Sequence, residues 1–174
     1  MAILGVDDFK SKLIGGGARS NLFQATINFP AYAQGDTEIT SFLCKTAALP
    51  GSVITPTEIN FRGRILKIAG DRTFENWSIT VLNDTGLEIR NAMERWMNGI
   101  SEHANNTGLV NPTEYQTDLI MEQLDKAGNV TKTYDIRGAF PINIGQVDMA
   151  YETEGISETT VEFAYQYWES NTTT

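Results

Sequence analysis

The chain has 174 residues, of which 41% are hydrophobic and 10% aromatic, and a formal net charge of −9. This composition suits one domain with its own hydrophobic core and excludes a disordered chain. The excess of acidic residues argues against a protein that grips nucleic acid or an anionic membrane through Lys and Arg. A single cysteine, Cys44, excludes an intramolecular disulfide and a cysteine-cluster metal site.

The negative charge is concentrated in the C-terminal part of the chain. Residues 1–96 carry ten basic and ten acidic residues, whereas residues 97–174 carry three basic and twelve acidic ones. After Gly138 there are six carboxylates and no Lys or Arg. One surface of the fold is therefore expected to be strongly acidic.

Three segments are predicted from the distribution of core-forming residues. Residues 1–20 hold little apolar material for a core and contain a triple glycine, which is typical of an N-terminal arm. Residues 21–168 form a single predicted domain, and residues 169–174 a C-terminal tail. No apolar run approaches the ~20 residues of a membrane-spanning helix, so no membrane insertion is expected. The N-terminus lacks the pattern of a signal peptide.

The first half of the domain is predicted to be mainly β. Alternation of apolar and polar residues, or a short apolar run, indicates four strands at 23–29, 39–44, 59–68 and 74–82. In the last of these, Trp77, Ile79 and Val81 share one face. Residues 45–58, with two prolines and a Pro-Gly turn, are predicted to be a loop, and residues 69–72 to join the last two strands.

One helix is predicted at about residues 86–99. Thr85 and Glu88 fit a capping box, and apolar residues recur at three- and four-residue spacing from Ile89 to Ile100. Further on, Asp125–Asn129 has the residues of a hairpin turn. The predicted fold is a mainly β, antiparallel β-sandwich or barrel with one flanking α-helix.

An acidic hairpin is predicted over residues 147–167. Val147, Met149 and Tyr151 alternate with acidic residues, and the alternation resumes after Gly155. This face could be an ordinary solvated surface or a catalytic carboxylate pair, for which no substrate-gripping cluster is present. It could also be a wall that repels polyanions, so that nucleic acid passes without binding. The third interpretation requires subunits that surround a channel.

Several sequence segments, in this order and spacing, resemble the tail tube proteins of contractile-tailed bacteriophages. The similarity covers roughly residues 20–168. The segments are Ala48-Leu49-Pro50-Gly51, Phe61-Arg62-Gly63-Arg64, Asp71-Arg72-Thr73-Phe74-Glu75-Asn76-Trp77, Glu94-Arg95-Trp96-Met97-Asn98-Gly99-Ile100, Gly138-Ala139-Phe140-Pro141-Ile142 and Phe163-Ala164-Tyr165-Gln166-Tyr167-Trp168.

The resemblance implies a structural virion protein. Its subunits would form hexameric rings that stack into a hollow tube inside a sheath, in a virion tail assembled in the host cytoplasm. The tube would house the tape-measure protein and conduct the genome, with DNA as transient cargo. The implied partners are further copies of the chain and the sheath, baseplate, tape-measure and tail terminator proteins. No catalytic, cofactor or metal site is implied, so an enzyme is not expected.

A ring with a channel gives the candidate residues their expected places. Edge strands can pair between neighbours in a closed ring, which leaves no edge free. The predicted lumen-lining residues are Asp148, Glu152, Glu154, Glu158 and Glu162. The predicted contacts between subunits or rings are Lys45, Leu49, Pro50, Val53, Ile54, Arg62, Arg64 and Arg72. The N-terminal arm is also expected to contact the next ring.

Two alternatives remain open at this stage. The first is a tube subunit of a non-phage contractile injection system, of the type VI secretion or pyocin kind. The second is a carbohydrate-binding β-sandwich in which Trp77, Trp96 and Trp168 would stack on sugars. The periodic positions of these tryptophans favour core packing for at least two of them.

Overall fold

The computed structural model describes residues 5–13, 17–152 and 154–173. Antiparallel strands dominate the fold, as predicted. The helices are α1 (Val6–Lys12), α2 (Thr37–Leu43), α3 (Glu88–Ile100) and α4 (Pro112–Tyr115). The strands are β1 (Phe23–Ile27), β2 (Cys44–Ala47), β3 (Ser52–Phe61), β4 (Arg64–Phe74), β5 (Trp77–Leu82), β6 (Thr117–Leu124), β7 (Val130–Ile144), β8 (Glu158–Ala164) and β9 (Tyr167–Ser170).

Seven strands form the main sheet in the order β1-β6-β7-β8-β5-β2, with β9 paired to β7. One half of this sheet consists of β1, β6, β7 and β9, and the other half of β7, β8, β5 and β2. The long strand β7 belongs to both halves. Its first half pairs with β6 and β9, and its second half pairs with β8. Among the described strands, β3 and β4 pair only with each other and make a separate two-stranded sheet.

A bulge at Gly138 lets β7 pass from one half of the sheet to the other. Gly138 has φ of +62°, and the register of β7 against β6 shifts at this point. A Cβ on Gly138 would lie 2.9 Å from a side-chain carbon of Gln166, so both the conformation and the space favour glycine. The buried positions change parity here, from Ile136 to Ala139 and Pro141.

The hydrophobic core lies between the two halves of the sheet and helix α3. Trp77, Ile79 and Val81 are buried together on one face of β5, as the alternation predicted. Trp96 of α3 packs against Phe163 with ring centroids 5.9 Å apart, and its indole Nε1 donates to the Tyr115 carbonyl at 2.8 Å. The core is therefore shared by sheet and helix.

Helix α3 is confirmed, but its predicted cap is wrong. The helix begins at Glu88 after Leu87, which has φ of +52°. Instead of Thr85, the Asp84 carboxylate accepts hydrogen bonds from the amides of Gly86 (3.1 Å) and Glu88 (2.9 Å). A left-handed residue before the helix moves the capping side chain one position earlier than the Thr-x-x-Glu pattern indicates.

The strand predicted at 39–44 is wrong, because residues 37–43 form helix α2. Asp36 caps this helix by accepting from the amides of Glu38 (2.9 Å) and Ile39 (3.0 Å). The apolar run indicated a strand, but the Asp cap satisfies two backbone amides and starts a helix instead. Strand β2 follows directly at Cys44.

The predictions for residues 45–72 are also wrong. The loop expected at 45–58 contains β2 and most of β3, and the strand expected at 59–68 is interrupted by a tight turn at Arg62-Gly63. Both turn residues have positive φ, of +50° and +80°. This is the geometry of a type I′ hairpin turn, so the chain reverses here and not at residues 69–72.

The hairpin at Asp125–Asn129 is confirmed, whereas the acidic hairpin is wrong in its first strand. The Asp125 carboxylate accepts from the amides of Ala127 (2.7 Å) and Asn129 (2.9 Å), which closes the β6–β7 turn. In contrast, residues 145–150 have no regular structure, and β8 pairs with β5 and β7. The described part of the chain has no helix that is long and apolar enough to cross a membrane.

Candidate assembly surfaces

The two-stranded sheet of residues 52–74, here called the ribbon, carries several exposed large apolar side chains. Register places Ile59 opposite Leu66, and Phe61 opposite Arg64, on one face. The side chains of Ile59, Phe61 and Leu66 are 45%, 63% and 56% exposed. A lone hairpin has only marginal stability in water, and an exposed apolar face of this kind marks an interaction surface.

Three aromatic side chains fix the base of the ribbon to the domain. The Trp77 indole donates to the Ala48 carbonyl at 2.5 Å, and the Trp168 indole donates to the Gly51 carbonyl at 3.1 Å. The Tyr165 hydroxyl also donates to Gly51, at 3.4 Å, and its ring packs near Phe74. Burial, with a contribution from the Glu75 carboxylate, raises the pKa of Tyr165. The direction in which the ribbon leaves the domain is therefore fixed by its anchored base.

The same contacts argue against tryptophans that stack on sugars. Trp77 and Trp96 are 1% and 0% exposed, so neither can present a ring face to a ligand. Trp168 is half-buried, with its ring packed edge-on against Tyr134 at 5.5 Å. The expectation that at least two of the three tryptophans pack in the core is confirmed.

The predicted contact residues fall into two groups. Five of them are exposed residues of the ribbon: Val53, Ile54, Arg62 at its tip, Arg64 and Arg72. The other three lie at or before its base: Leu49 is half exposed, Pro50 is buried in its own chain, and Lys45 forms a 2.5 Å ion pair with Glu158. Burial leaves Pro50 little surface for a neighbour. The structure thus collects five of the eight candidates on one element.

The predicted acidic residues are also divided between two places. Asp148, Glu152 and Glu154 lie on residues 145–152 and 154–157, here called the acidic loop, where all three are exposed. Glu158 and Glu162 lie on β8 and point away from the buried residues Val161 and Phe163. A single acidic sheet face carrying all five is therefore wrong, because the loop residues have no strand partner to align them.

The ends of the acidic loop are held firmly to the domain. Arg90 of α3 donates to the Gly145 carbonyl at 3.0 Å, and the Gly145 amide donates to the Thr160 carbonyl at 2.7 Å. At the other end, the Asn83 amide donates to the Ser157 carbonyl at 2.9 Å. Between these anchors, the side chains of Met149 and Ile156 are 77% and 68% exposed, and Tyr151 is fully exposed.

The face of β5 and β8 opposite the core, here called the polar face, is rich in hydroxyl groups. Thr80 and Thr160 are paired across the strands with their hydroxyl oxygens 3.2 Å apart. Glu162 lies opposite Ser78, and the charge of Glu158 is compensated by Lys45. Compared with the ribbon, this face offers hydroxyl groups and few apolar side chains.

Arg137 connects three strands next to the Gly138 bulge. Its guanidinium lies 2.7 Å from Asp118 on β6, 3.6 Å from Asp135 on β7 and 3.6 Å from Glu169 on β9. Partial burial raises the pKa of Asp118, but hydrogen bonds from the Gly138 amide and from Arg137 outweigh it, so the pKa lies below its usual value. The cluster holds β9 and β6 on either side of β7.

Strands β1 and β2 end the strand order of the main sheet, so each has one edge without a partner among the described strands. An open groove of about 990 Å³ lies along these edges, beside α2. Phe42, which is 80% exposed, lines it with Phe23 and Cys44. Burial raises the pKa of the Cys44 thiol to about 11, which leaves it a poor nucleophile at neutral pH.

A functional site of another kind would be a group of side chains that could hold a metal ion. Among the described residues, no group of three or more His, Cys, Asp or Glu side chains is arranged to hold a metal ion. The surfaces that stand out are an apolar ribbon, an acidic loop and unpaired sheet edges. Such features serve contacts between protein chains.

The ribbon is the feature that sequence reasoning missed, although its signal is present. Alternating apolar residues flank Arg62-Gly63 on both sides, which is the pattern of a two-residue hairpin. The turn is easily overlooked because its first residue is Arg, where Asn, Asp or Gly is usual.

Comparisons with known proteins agree with this picture. Residues 18–171 match the family described as phage tail tube protein. The chain is 33% identical over 154 residues to tail tube protein gp19 of Enterobacteria phage T4, with 87% of this chain and 91% of that protein covered. It is 34% identical over 148 residues to the tail tube protein of Serratia phage KSP90, with 83% and 84% covered.

Solved structures share the fold at lower sequence identity. A chain of the sheath-tube complex of an extracellular contractile injection system superposes with a TM-score of 0.68 at 13% identity, covering 92% of this chain and 96% of that one. A chain of the anti-feeding prophage tube terminating cap gives 0.66 at 17% identity, covering 88% and 90%.

Proposed function

This chain belongs to the phage tail tube protein family, and from that premise we propose that six copies close into a ring and that rings stack into a hollow tube. The protein is a structural component of the phage tail. The observation that carries the proposal is the ribbon, since its apolar face is uncovered within one chain and anchored firmly at its base. A neighbouring subunit is the natural cover for such a face.

Different surfaces suit contacts within a ring and between rings. The unpaired edges of β1 and β2 suit closure of the ring, because a head-to-tail contact repeated around an axis leaves no edge free. The ribbon suits the contact between rings, and it carries Val53, Ile54, Arg62, Arg64 and Arg72. The N-terminal arm, with the exposed apolar residues Val6 and Phe9 of α1, is a further candidate for this contact.

The polar face is proposed to line the lumen. Hydroxyl groups of Thr80 and Thr160, the carboxylate of Glu162 and the compensated pair of Lys45 and Glu158 give it little attraction for DNA phosphates. In this arrangement DNA is transient cargo. Asp148, Glu152 and Glu154 remain lumen candidates only if the acidic loop turns toward the channel, because the strand that would have placed them on this face is not formed.

The proposed partners are the other parts of a contractile tail. The fold is shared with chains of a sheath-tube complex, a tube terminating cap and a baseplate assembly. We extend these partners to this chain, together with a tape-measure protein inside the tube. The role is structural and needs no catalytic group or cofactor. Phage tails are favoured over other injection systems, because the phage relatives have about 33% identity and the injection-system chains 13–17%.

The test is electron microscopy of the purified protein at high concentration. Sixfold rings and tubes in negative stain, with a polar lumen wall in a reconstruction, are the expected result. Sedimentation velocity gives a second measurement of ring size. A protein that stays monomeric at every concentration, or rings of another symmetry, would contradict the proposal.

A further inference from the structure

The charge of the ribbon is opposite to that of the chain as a whole. Residues 52–74 carry four basic and two acidic residues, although the full chain has a net charge of −9. Glu58 is paired with Lys67 at 3.3 Å, whereas Arg62, Arg64 and Arg72 form no ion pair within the described residues. Three exposed guanidinium groups beside an apolar face are therefore available to a partner.

Arg62 occupies an unfavourable backbone position at the ribbon tip. Its φ of +50° belongs to the left-handed region, which a residue with a Cβ rarely adopts. Asn or Gly would suit the first position of this turn better. Its guanidinium lies over the ring of Phe61, 5.3 Å from the centroid, so the tip presents a cation and an aromatic ring together.

The acidic loop has the complementary chemistry. Among its described residues it carries three carboxylates and no basic group. The exposed apolar residues Met149 and Tyr151 lie between the carboxylates in sequence, and Ile156 follows them. Phe61 is 63% exposed and Tyr151 fully exposed, so ribbon tip and acidic loop do not cover each other within one chain.

We propose that the ribbon tip of one copy docks on the acidic loop of a neighbouring copy, resting on the proposed assembly into tubes. Arg62 and Arg64 would face Glu152 and Glu154, and Phe61 would pack among the exposed apolar residues of the loop. Every copy presents both surfaces, so the contact is head-to-tail and repeats from subunit to subunit.

Apolar burial and charge have separate roles in this contact. Burial of Phe61 and Tyr151 supplies most of the affinity. Each exposed ion pair contributes little alone, and its main effect is to select the docking site and to speed association. The contact also gives the loop acids a role in assembly, in place of a role in the lumen wall.

A charge exchange tests the proposal. Arg62→Glu with Arg64→Glu, and separately Glu152→Lys with Glu154→Lys, should each raise the protein concentration needed for half-maximal tube formation about tenfold or more, measured by pelleting. Combining all four substitutions should recover most of this loss. The matched control for the arginine pair, Lys126→Glu with Ala104→Glu and Thr113→Glu, makes the same change in charge at exposed sites outside the ribbon, the acidic loop and the N-terminal arm. It should leave assembly near that of the wild type.

A crosslink gives a second measurement that does not depend on charge. In a Cys44→Ala background, Phe61→Cys together with Tyr151→Cys should give covalent multimers when assembled tubes are oxidised, and Phe61→Cys with Lys126→Cys should not. The docking contact alone would be overturned if wild-type tubes form, the fourfold charge exchange does not restore assembly, and Phe61→Cys with Tyr151→Cys gives no covalent multimers. Wild-type protein that forms no tubes would overturn the proposed function and the contact with it.

Discussion

The core and the ribbon are both built from antiparallel strands, but they differ in what covers them. In the core, both halves of the main sheet and α3 enclose Trp77, Trp96 and Phe163, which are at most 1% exposed. In the ribbon, every residue from Ser52 to Ala69 is exposed, although many are apolar. The core is covered within one chain, whereas the apolar side chains of the ribbon are not.

This difference suggests that separate residues control folding and assembly. A substitution in the core should act on the stability of the monomer, since large buried side chains provide most of the hydrophobic stabilisation. A substitution in the ribbon should act on association, because its side chains are already in water in the monomer.

Removal of the ribbon should have the largest effect. Val53 and Thr73 are directly paired, so an Asn-Gly turn can replace residues 54–72 and close the hairpin at its base. The variant should fold with a cooperative thermal transition and yet form no tubes, as measured by circular dichroism and electron microscopy. Loss of the folded state would contradict the independence of the core.

Truncation of one aromatic residue in each region should give the next largest difference. Trp96→Ala should lower the free energy of unfolding of the monomer by about 3–5 kcal/mol, because it leaves a cavity between α3 and Phe163. Phe61→Ala should change it by less than about 0.5 kcal/mol, because the side chain is mostly in water. Urea unfolding at low protein concentration measures both, and similar losses in the two variants would contradict the separation.

A smaller effect is expected at the Asp118–Arg137 pair when the pH is lowered. The pKa of Asp118 in the folded chain is lowered, so its ionised form stabilises the fold above the unfolded pKa of about 3.9. This stabilisation is lost as the pH falls through the lower folded pKa. Asp118 is about half exposed, so the contribution is at most about 1 kcal/mol.

Asp118→Asn keeps a group that can accept from the Gly138 amide but cannot titrate. Its urea midpoint should therefore fall less steeply than that of the wild type between about pH 5 and pH 3. The ribbon-deleted variant should show the wild-type slope, since the pair lies in the main sheet. Parallel curves for Asp118→Asn and wild type would show that this pair does not contribute to acid sensitivity.

Sequence reasoning succeeded where a local pattern and the tertiary environment agree. The stripe on α3 and the alternation at Trp77, Ile79 and Val81 each face the core, so periodicity predicted both elements. The turn at Asp125–Asn129 closes through its own side chain and needs no distant partner. The family resemblance was confirmed, because it rested on the order of several segments across the domain.

The wrong strand predictions share a physical cause, because the alternation of residues does not show which strands pair. Residues 147–152 have the alternation of a strand, but β8, their predicted partner, pairs with β5 and β7 instead. Residues 147–152 therefore do not pair with β8. Residues 52–61 form a strand by pairing with β4 alone, although they contact no core. A strand forms only where a neighbouring strand can pair with it, and an alternating sequence does not show whether such a neighbour is present.

The sequence by itself determined the fold class, the single long helix, the buried face of β5 and the kind of protein. It also determined that the acidity is concentrated after residue 97, since charge is a property of composition. Only the tertiary structure decided where the five candidate lining carboxylates of this region lie, with three on an exposed loop and two on the polar face. The hairpin around Arg62-Gly63 is a local pattern of the sequence, but only the tertiary structure showed that the core does not cover its apolar residues. Hydrogen bonds between segments far apart in sequence choose among the strands that local patterns permit.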